Sequence, residues 1–199
     1  MKRDVILAGV GGQGVLSIAA IITRSAVSAG LQVRQSEVHG MAQRGGAVLA
    51  HLRLSDGHIA SDLVSRGGAD LIISLEPVES LRYASWLCPT GALVTAAEAF
   101  VNIPDYPDLS SIHKAILAFP MGRLVHAEEL AKEAGLAKAV NMVMVGAASP
   151  FLPLSADLLE GTICELFAAK DPGVIEANKK AFRLGRDVGL GKRREGAAQ

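Results

Sequence analysis

Gly9-Val10-Gly11-Gly12-Gln13-Gly14 sets three glycines at the spacing G-x-G-x-x-G, directly behind the apolar run Val5 to Ala8. Glycine lets a backbone turn sharply and approach a ligand. A helix starting here offers unpaired N–H groups and positive potential to an anion. Such a loop can hold a phosphate or a dinucleotide, with an acidic residue at the end of the second strand, here Glu37, on a ribose. The same spacing also makes a tight strand-to-helix turn that binds nothing. Gln13 adds an amide that could face a ligand or a partner.

The stretch Ser36-Glu37-Val38-His39-Gly40-Met41-Ala42-Gln43-Arg44-Gly45-Gly46 gathers Ser36, Glu37, His39, Gln43 and Arg44 among Gly40, Gly45 and Gly46. Polar groups interleaved with glycines just after a strand suit a binding or docking surface. His39 is otherwise an ordinary hydrogen-bonded loop histidine, and Arg44 a solvated ion-pair partner. Glu76, ahead of Pro77, stands where a helix begins and where its dipole favours negative charge; Glu79 and Arg82 follow at pairing distance. Asn141 leads the apolar run Met142 to Val145, either as a helix cap or as a polar group turned into a crevice. The five histidines make no i, i+4 pair. Cys88 and Cys164 stand far apart, outside any C-x-x-C, and G-x-S-x-G is absent. Zinc, iron–sulfur and serine-nucleophile chemistry by this chain alone are not supported.

The elements that must carry these groups follow from periodicity. Val5 to Ala8 is a buried strand. Val15, Ile18, Ala19, Ile22 and Ala26 form one helical face closed by Gly30, and Leu31 to Gln35 is a second strand. Such a βαβ unit winds right-handed into a parallel sheet, whose strand ends face one crevice. The glycine loop and the Glu37–Gly46 stretch, expected to be an irregular loop, should therefore lie side by side. Strands follow at Val48 to Leu54, Ala69 to Leu75, Ala92 to Thr95 and Arg123 to His126. Phe100 to Met121, with Pro104, Pro107 and Pro120, reads as a long connection with a short helix around Ile112 to Leu117. Helices follow at Glu128 to Ala134, Val140 to Ala148, around Leu159 to Leu166, and after Asp171-Pro172. The expected fold is α/β: a Rossmann-like open sheet, mostly parallel, with helices on both faces and a helical C-terminal part. Residues 1–190 form one domain, and 191–199 a frayed tail.

Composition narrows the function. The chain has 199 residues, half of them hydrophobic, with 20 basic residues balancing 20 acidic ones. It can bury a full core. A neutral chain with 4% aromatics lacks the clustered charge and stacking surface of a nucleic-acid binder. No apolar run approaches membrane-spanning length, and Asp4 and the early glycines argue against a signal peptide. A cytoplasmic protein is expected.

Taken together, the glycine loop, the Ser36–Gly46 string, Leu75-Glu76-Pro77-Val78-Glu79-Ser80-Leu81-Arg82-Tyr83 and Asn141-Met142-Val143-Met144-Val145-Gly146-Ala147 resemble the gamma subunit or domain of 2-oxoacid:ferredoxin oxidoreductases. Val38-His39-Gly40-Met41-Ala42-Gln43-Arg44-Gly45-Gly46 most resembles the indolepyruvate:ferredoxin oxidoreductase beta subunit. The likeness runs from about Asp4 to about Gly185. It implies a subunit that bears no cofactor and is inactive alone. Thiamine diphosphate, magnesium and 4Fe-4S clusters would sit on a larger partner subunit, with coenzyme A as co-substrate and ferredoxin reached through the complex. It also implies that the glycine loop does not bind NAD, and that both polar loops face the partner and substrate channel, with Arg44 meeting an anionic group. Two other readings are an NAD(P)-dependent oxidoreductase using Gly9, Gly11, Gly14 and Glu37, and a non-catalytic nucleotide-sensing or scaffolding module.

Overall fold

A computed structural model describes residues 1–40, 45–101 and 103–192. Among them are strands β1 Lys2–Val10, β2 Gln32–His39, β3 Ala47–Ser55, β4 Ala69–Ser74, β5 Leu87–Ala96 and β6 Gly122–Val125. The helices are α1 Val15–Ser28, α2 Pro77–Arg82, α3 Leu109–Leu117, α4 Ala127–Glu133, α5 Val140–Ala148, α6 Ala156–Leu166 and α7 Pro172–Gly189. The strands form one sheet in the order β2-β3-β1-β4-β5-β6. β1, β4, β5 and β6 pair in parallel, whereas β3 runs antiparallel to both β1 and β2.

Two expectations need correction here. β2 does run parallel to β1, but it is not its neighbour. β3 folds back from β2 as the second arm of a hairpin and takes the place beside β1, pairing from Lys2↔Ser55 to Val10↔Ala47. And Ser36, Glu37 and His39 belong to a strand rather than a loop, since β2 continues to His39 in register with β3. Its polar sequence conceals this: β2 is an edge strand, and an edge with a wet face needs no continuous apolar run.

Alternation along the strands divides the core. Val5 and Leu7 face a layer of α1, α4, α5, α6 and α7, while Ile6, Ile72 and Leu93 face α2 and α3. The first layer is the thicker, and its tightest seam is α5 against α7. There a Cβ on Gly185 would stand 1.9 Å from the Val143 carbonyl oxygen, and one on Gly146 2.0 Å from that of Phe182. Helices α2, α3, α6 and α7 start with the capping carboxylates or hydroxyl of Glu76, Asp108, Ser155 and Asp171. Each such cap contributes on the order of 1 kcal/mol. No described helix is long and apolar enough to cross a membrane.

The segment between β3 and β4 is tied down from β3. Arg53 reaches Ser61 and Leu63 carbonyls at 2.9 and 3.1 Å, and the Val64 N–H donates to His51 Nδ1 at 3.2 Å. Burial, helped by the Arg53 charge, holds the His51 imidazole below its usual pKa. A depressed imidazole pKa means the unfolded chain takes up the proton first. Stability is therefore full above the unfolded value of about 6.5, falls as pH drops below it, and levels off once the native value is passed. Urea midpoints of the wild type and His51→Gln between pH 8 and 5 should converge as pH falls. A constant difference would contradict this.

Candidate functional site

The glycine loop is built from its own atoms outward. Gly14 takes φ +84° as the residue before α1, and Gly12 takes φ +101°, both in the left-handed region. Gln13 then staples the turn: its Oε1 accepts from the Val10 N–H at 2.8 Å, and its Nε2 donates to the Leu75 carbonyl at 3.0 Å. The Gln13 N–H goes to the Val10 carbonyl at 3.1 Å. The amide expected to face a ligand or partner thus joins the end of β1 to the end of β4. Gly9 lies against it, since a Cβ there would be 2.8 Å from Val15 and 3.1 Å from Gln13 Oε1.

The two loops meet as expected. The Gly11 N–H donates to the Gly46 carbonyl at 2.8 Å, and the Gly45 N–H to the Gly11 carbonyl at 3.2 Å. The N–H groups of Val10, Gly11 and Gln13 are therefore all spent within the chain. A dinucleotide loop would keep such groups for a pyrophosphate. Glu37 is also misplaced for a ribose. It sits on β2 with β3 between it and β1, opposite Ala50, and its carboxylate accepts from the Gln35 amide. The nucleotide reading loses both of its anchors.

A second cleft lies where β3 enters the sheet and β4 leaves it. It holds about 180 Å³ and is lined by Gly45, Ala47, Glu76, Glu79, Arg82 and Tyr106, among others. Glu76 and Glu79 are buried, at 1% and 4% exposure. One Glu76 oxygen caps α2 through the Glu79 N–H at 2.8 Å, and the other accepts from the Tyr106 hydroxyl. Glu79 pairs with Arg82 at 3.0 Å. Burial and the Glu76 carboxylate push the Tyr106 phenol well above its ordinary pKa, so it stays a donor. Glu76 both caps a helix and forms one wall of this cleft. Tyr106 escaped the sequence reading because it lies in the proline-punctuated connection, where no periodicity marks a residue's direction.

Asn141 occupies the first turn of α5, not its cap, which is Ala139. Its Nδ2 donates to the Gly14 carbonyl at 3.3 Å, so α5 is fastened to the glycine turn. A Cβ on Gly14 would stand 2.4 Å from that same nitrogen. Gly9, Gly11, Gly12, Gln13, Gly14, Gly45, Gly46, Glu76 and Asn141 thus share one continuous rim at the C-terminal ends of β1 and β4. Ser36 and Glu37 lie apart from it on β2, and Gly40 follows β2 at the surface. The His39 side chain, Gln43 and Arg44 lie outside the described residues. No group of three His, Cys, Asp or Glu among the described residues could hold a metal ion. Cys88, on β5, and Cys164, on α6, are both free. The donors of a metal or cluster seat do not come together in the described residues.

This architecture matches known proteins along most of the chain. The family model for pyruvate ferredoxin/flavodoxin oxidoreductase matches residues 4–188, and the chain belongs to that family. It is a subunit of a 2-oxoacid:ferredoxin oxidoreductase. It is 35% identical over 202 residues to indolepyruvate oxidoreductase subunit IorB of Archaeoglobus fulgidus, covering 97% of this chain and 98% of that one. It is 37% identical over 194 residues to the IorB of Pyrococcus horikoshii, covering 92% and 94%. Among solved structures, the gamma subunit of a keto/oxoacid ferredoxin oxidoreductase from Geobacter sulfurreducens shares the fold, with TM-score 0.68 and 22% identity over 95% of this chain and 99% of that one. The 2-oxoglutarate:ferredoxin oxidoreductase of Magnetococcus marinus, solved with 2-oxoglutarate, coenzyme A and succinyl-CoA, matches with TM-score 0.73 and 21% identity over 96% of this chain. The chain spans 31% of that longer polypeptide.

Proposed function

We propose that this chain is the small, cofactor-free subunit of a cytoplasmic enzyme that oxidatively decarboxylates indolepyruvate or a related aryl 2-oxoacid. The reaction balances as 2-oxoacid plus coenzyme A and two oxidised ferredoxins giving acyl-CoA, carbon dioxide, two reduced ferredoxins and protons. What supports the reading most is the near full-length identity of 35–37% to indolepyruvate oxidoreductase subunits, whose own names carry the substrate. A larger partner would bear thiamine diphosphate, magnesium and 4Fe-4S clusters, and ferredoxin would be reached through it. That partner's thiamine would supply the carbanion chemistry when bound.

The rim at the ends of β1 and β4 is this chain's contribution. Its loops are held by internal hydrogen bonds rather than by a nucleotide, so they offer a rigid wall to the partner's reaction centre and to coenzyme A. Arg44, which lies outside the described residues, is proposed from the family resemblance to meet an anionic group. The complex reconstituted from both subunits should turn over indolepyruvate or phenylpyruvate with kcat/KM at least about tenfold above pyruvate and 2-oxoglutarate. A preference for 2-oxoglutarate would contradict the substrate assignment. Arg44→Ala should weaken coenzyme A binding, assembly or turnover by about tenfold. A complex unchanged in all three would reject that role for Arg44.

A further inference from the structure

A third concavity lies next to the glycine turn, among the helices. It holds about 340 Å³, a volume within the range of small-molecule pockets. Its floor is apolar: Leu136, Met142, Leu166, Phe167 and Val174. Its rim is cationic and polar. Lys138 and Lys170 stand there, both exposed, and neither ammonium group has an ion-pair or hydrogen-bond partner among the described residues; the Lys170 backbone N–H goes to the Phe167 carbonyl at 2.8 Å. No acidic residue lines the cavity. Ser17 in the first turn of α1 and Asn141 in the first turn of α5 complete the rim, and neither helix start carries a capping side chain. Asn178, only 2% exposed, forms part of the wall. It gives one amide hydrogen to the Val174 carbonyl at 2.8 Å, and its oxygen has no partner among the described residues.

Each feature restricts the occupant. Two unpaired ammonium groups and two uncapped helix starts of 14 and 9 residues favour negative charge at the mouth. An aliphatic and aromatic floor favours a hydrocarbon body. A purely polar anion would leave that floor wet, and a neutral hydrocarbon would leave the lysines unused. We propose that this cavity binds a small monocarboxylate with an aromatic or branched apolar body, its carboxylate between Lys138 and Lys170. The site shares Asn141 with the loop rim and no other residue of it, and its test on this chain alone depends neither on the partner nor on the reaction assigned above.

The purified full chain, titrated with phenylacetate and followed by amide resonances, should show saturable binding with a dissociation constant on the order of 1 mM. Shifts should centre on Ser17, Asn141 and Lys170. Phenylacetamide and acetate, which lack the charge and the ring respectively, should each bind at least about tenfold more weakly. The double variant Lys138→Met, Lys170→Met keeps the apolar stems at exposed positions and should lose about tenfold in phenylacetate affinity. Absence of saturable binding overturns the proposal. So does equal binding of the amide, or undiminished binding by the double variant.

Discussion

Replacing Gly185 by alanine is expected to destabilise the protein by about 3 kcal/mol, a fall in Tm of roughly 10 °C for a domain of this size. The reason lies in the seam between α5 and α7. The added methyl would stand 1.9 Å from the Val143 carbonyl oxygen and 2.7 Å from its carbon, both backbone atoms that cannot rotate away. Gly189 and Gly146 meet the facing backbone in the same way, at 2.2 Å from the Ala147 oxygen and 2.0 Å from the Phe182 oxygen. Relief requires the helices to part, which uncovers Val143, Ala147, Ala181 and Phe182, all buried. Alanine's better helix propensity, worth up to about 1 kcal/mol, offsets only part of this. Gly161 on α6 supplies the contrast. Nothing lies within 4 Å of a Cβ there, so Gly161→Ala should raise stability by about 0.5–1 kcal/mol. Thermal or urea unfolding of the two variants side by side measures both signs. Equal effects would refute the seam.

The second large effect is expected at Asp4, which is 2% exposed near the start of β1. Its carboxylate takes Arg53 through Nε at 2.8 Å and Nη2 at 3.1 Å, and Lys2 at 2.7 Å. Arg53 in turn holds the Ser61 and Leu63 carbonyls. Asp4→Ala leaves the largely buried guanidinium without its anion and should cost about 3–5 kcal/mol, with early loss of protection in the 58–64 segment. Hydrogen exchange together with urea unfolding reads both. A loss below about 1 kcal/mol would show that the pair behaves like an exposed surface bridge.

The helical half of the fold was legible because its signals are local. Val140 to Ala148 is bounded in the sequence by a polar start and by Pro150, and α5 spans those same residues. Asp171-Pro172 marks the start of α7, with Asp171 accepting from the Gly173 N–H at 2.8 Å. The order of the sheet was not legible. Whether β2 or β3 lies beside β1 depends on a hairpin whose partner strands are joined through Gly40 to Gly46, and no residue in that connection announces a turn type. At the site, the adjacency of the two loops was expected from β2 lying beside β1, but it arises from β3, whose first residue Ala47 pairs with Val10, and the use of each side chain was not legible at all. Gln13 was visible as an odd amide, but only the positions of Val10 and Leu75 decide that it faces inward. Tyr106 and the Lys138–Lys170 rim come together from segments far apart in sequence, so no spacing rule could have joined them.

Among all these measurements, one bears most directly on the claim that this chain shapes a reaction centre without supplying its reactive groups. The purified chain is incubated with indolepyruvate, coenzyme A and oxidised ferredoxin, with and without the larger subunit, and its Tm is followed with NAD⁺ and NADH. Ferredoxin reduction should occur only when both subunits are present, and neither nicotinamide should shift the Tm. Turnover by the chain alone, or a dose-dependent rise in Tm with either nicotinamide, would contradict the account.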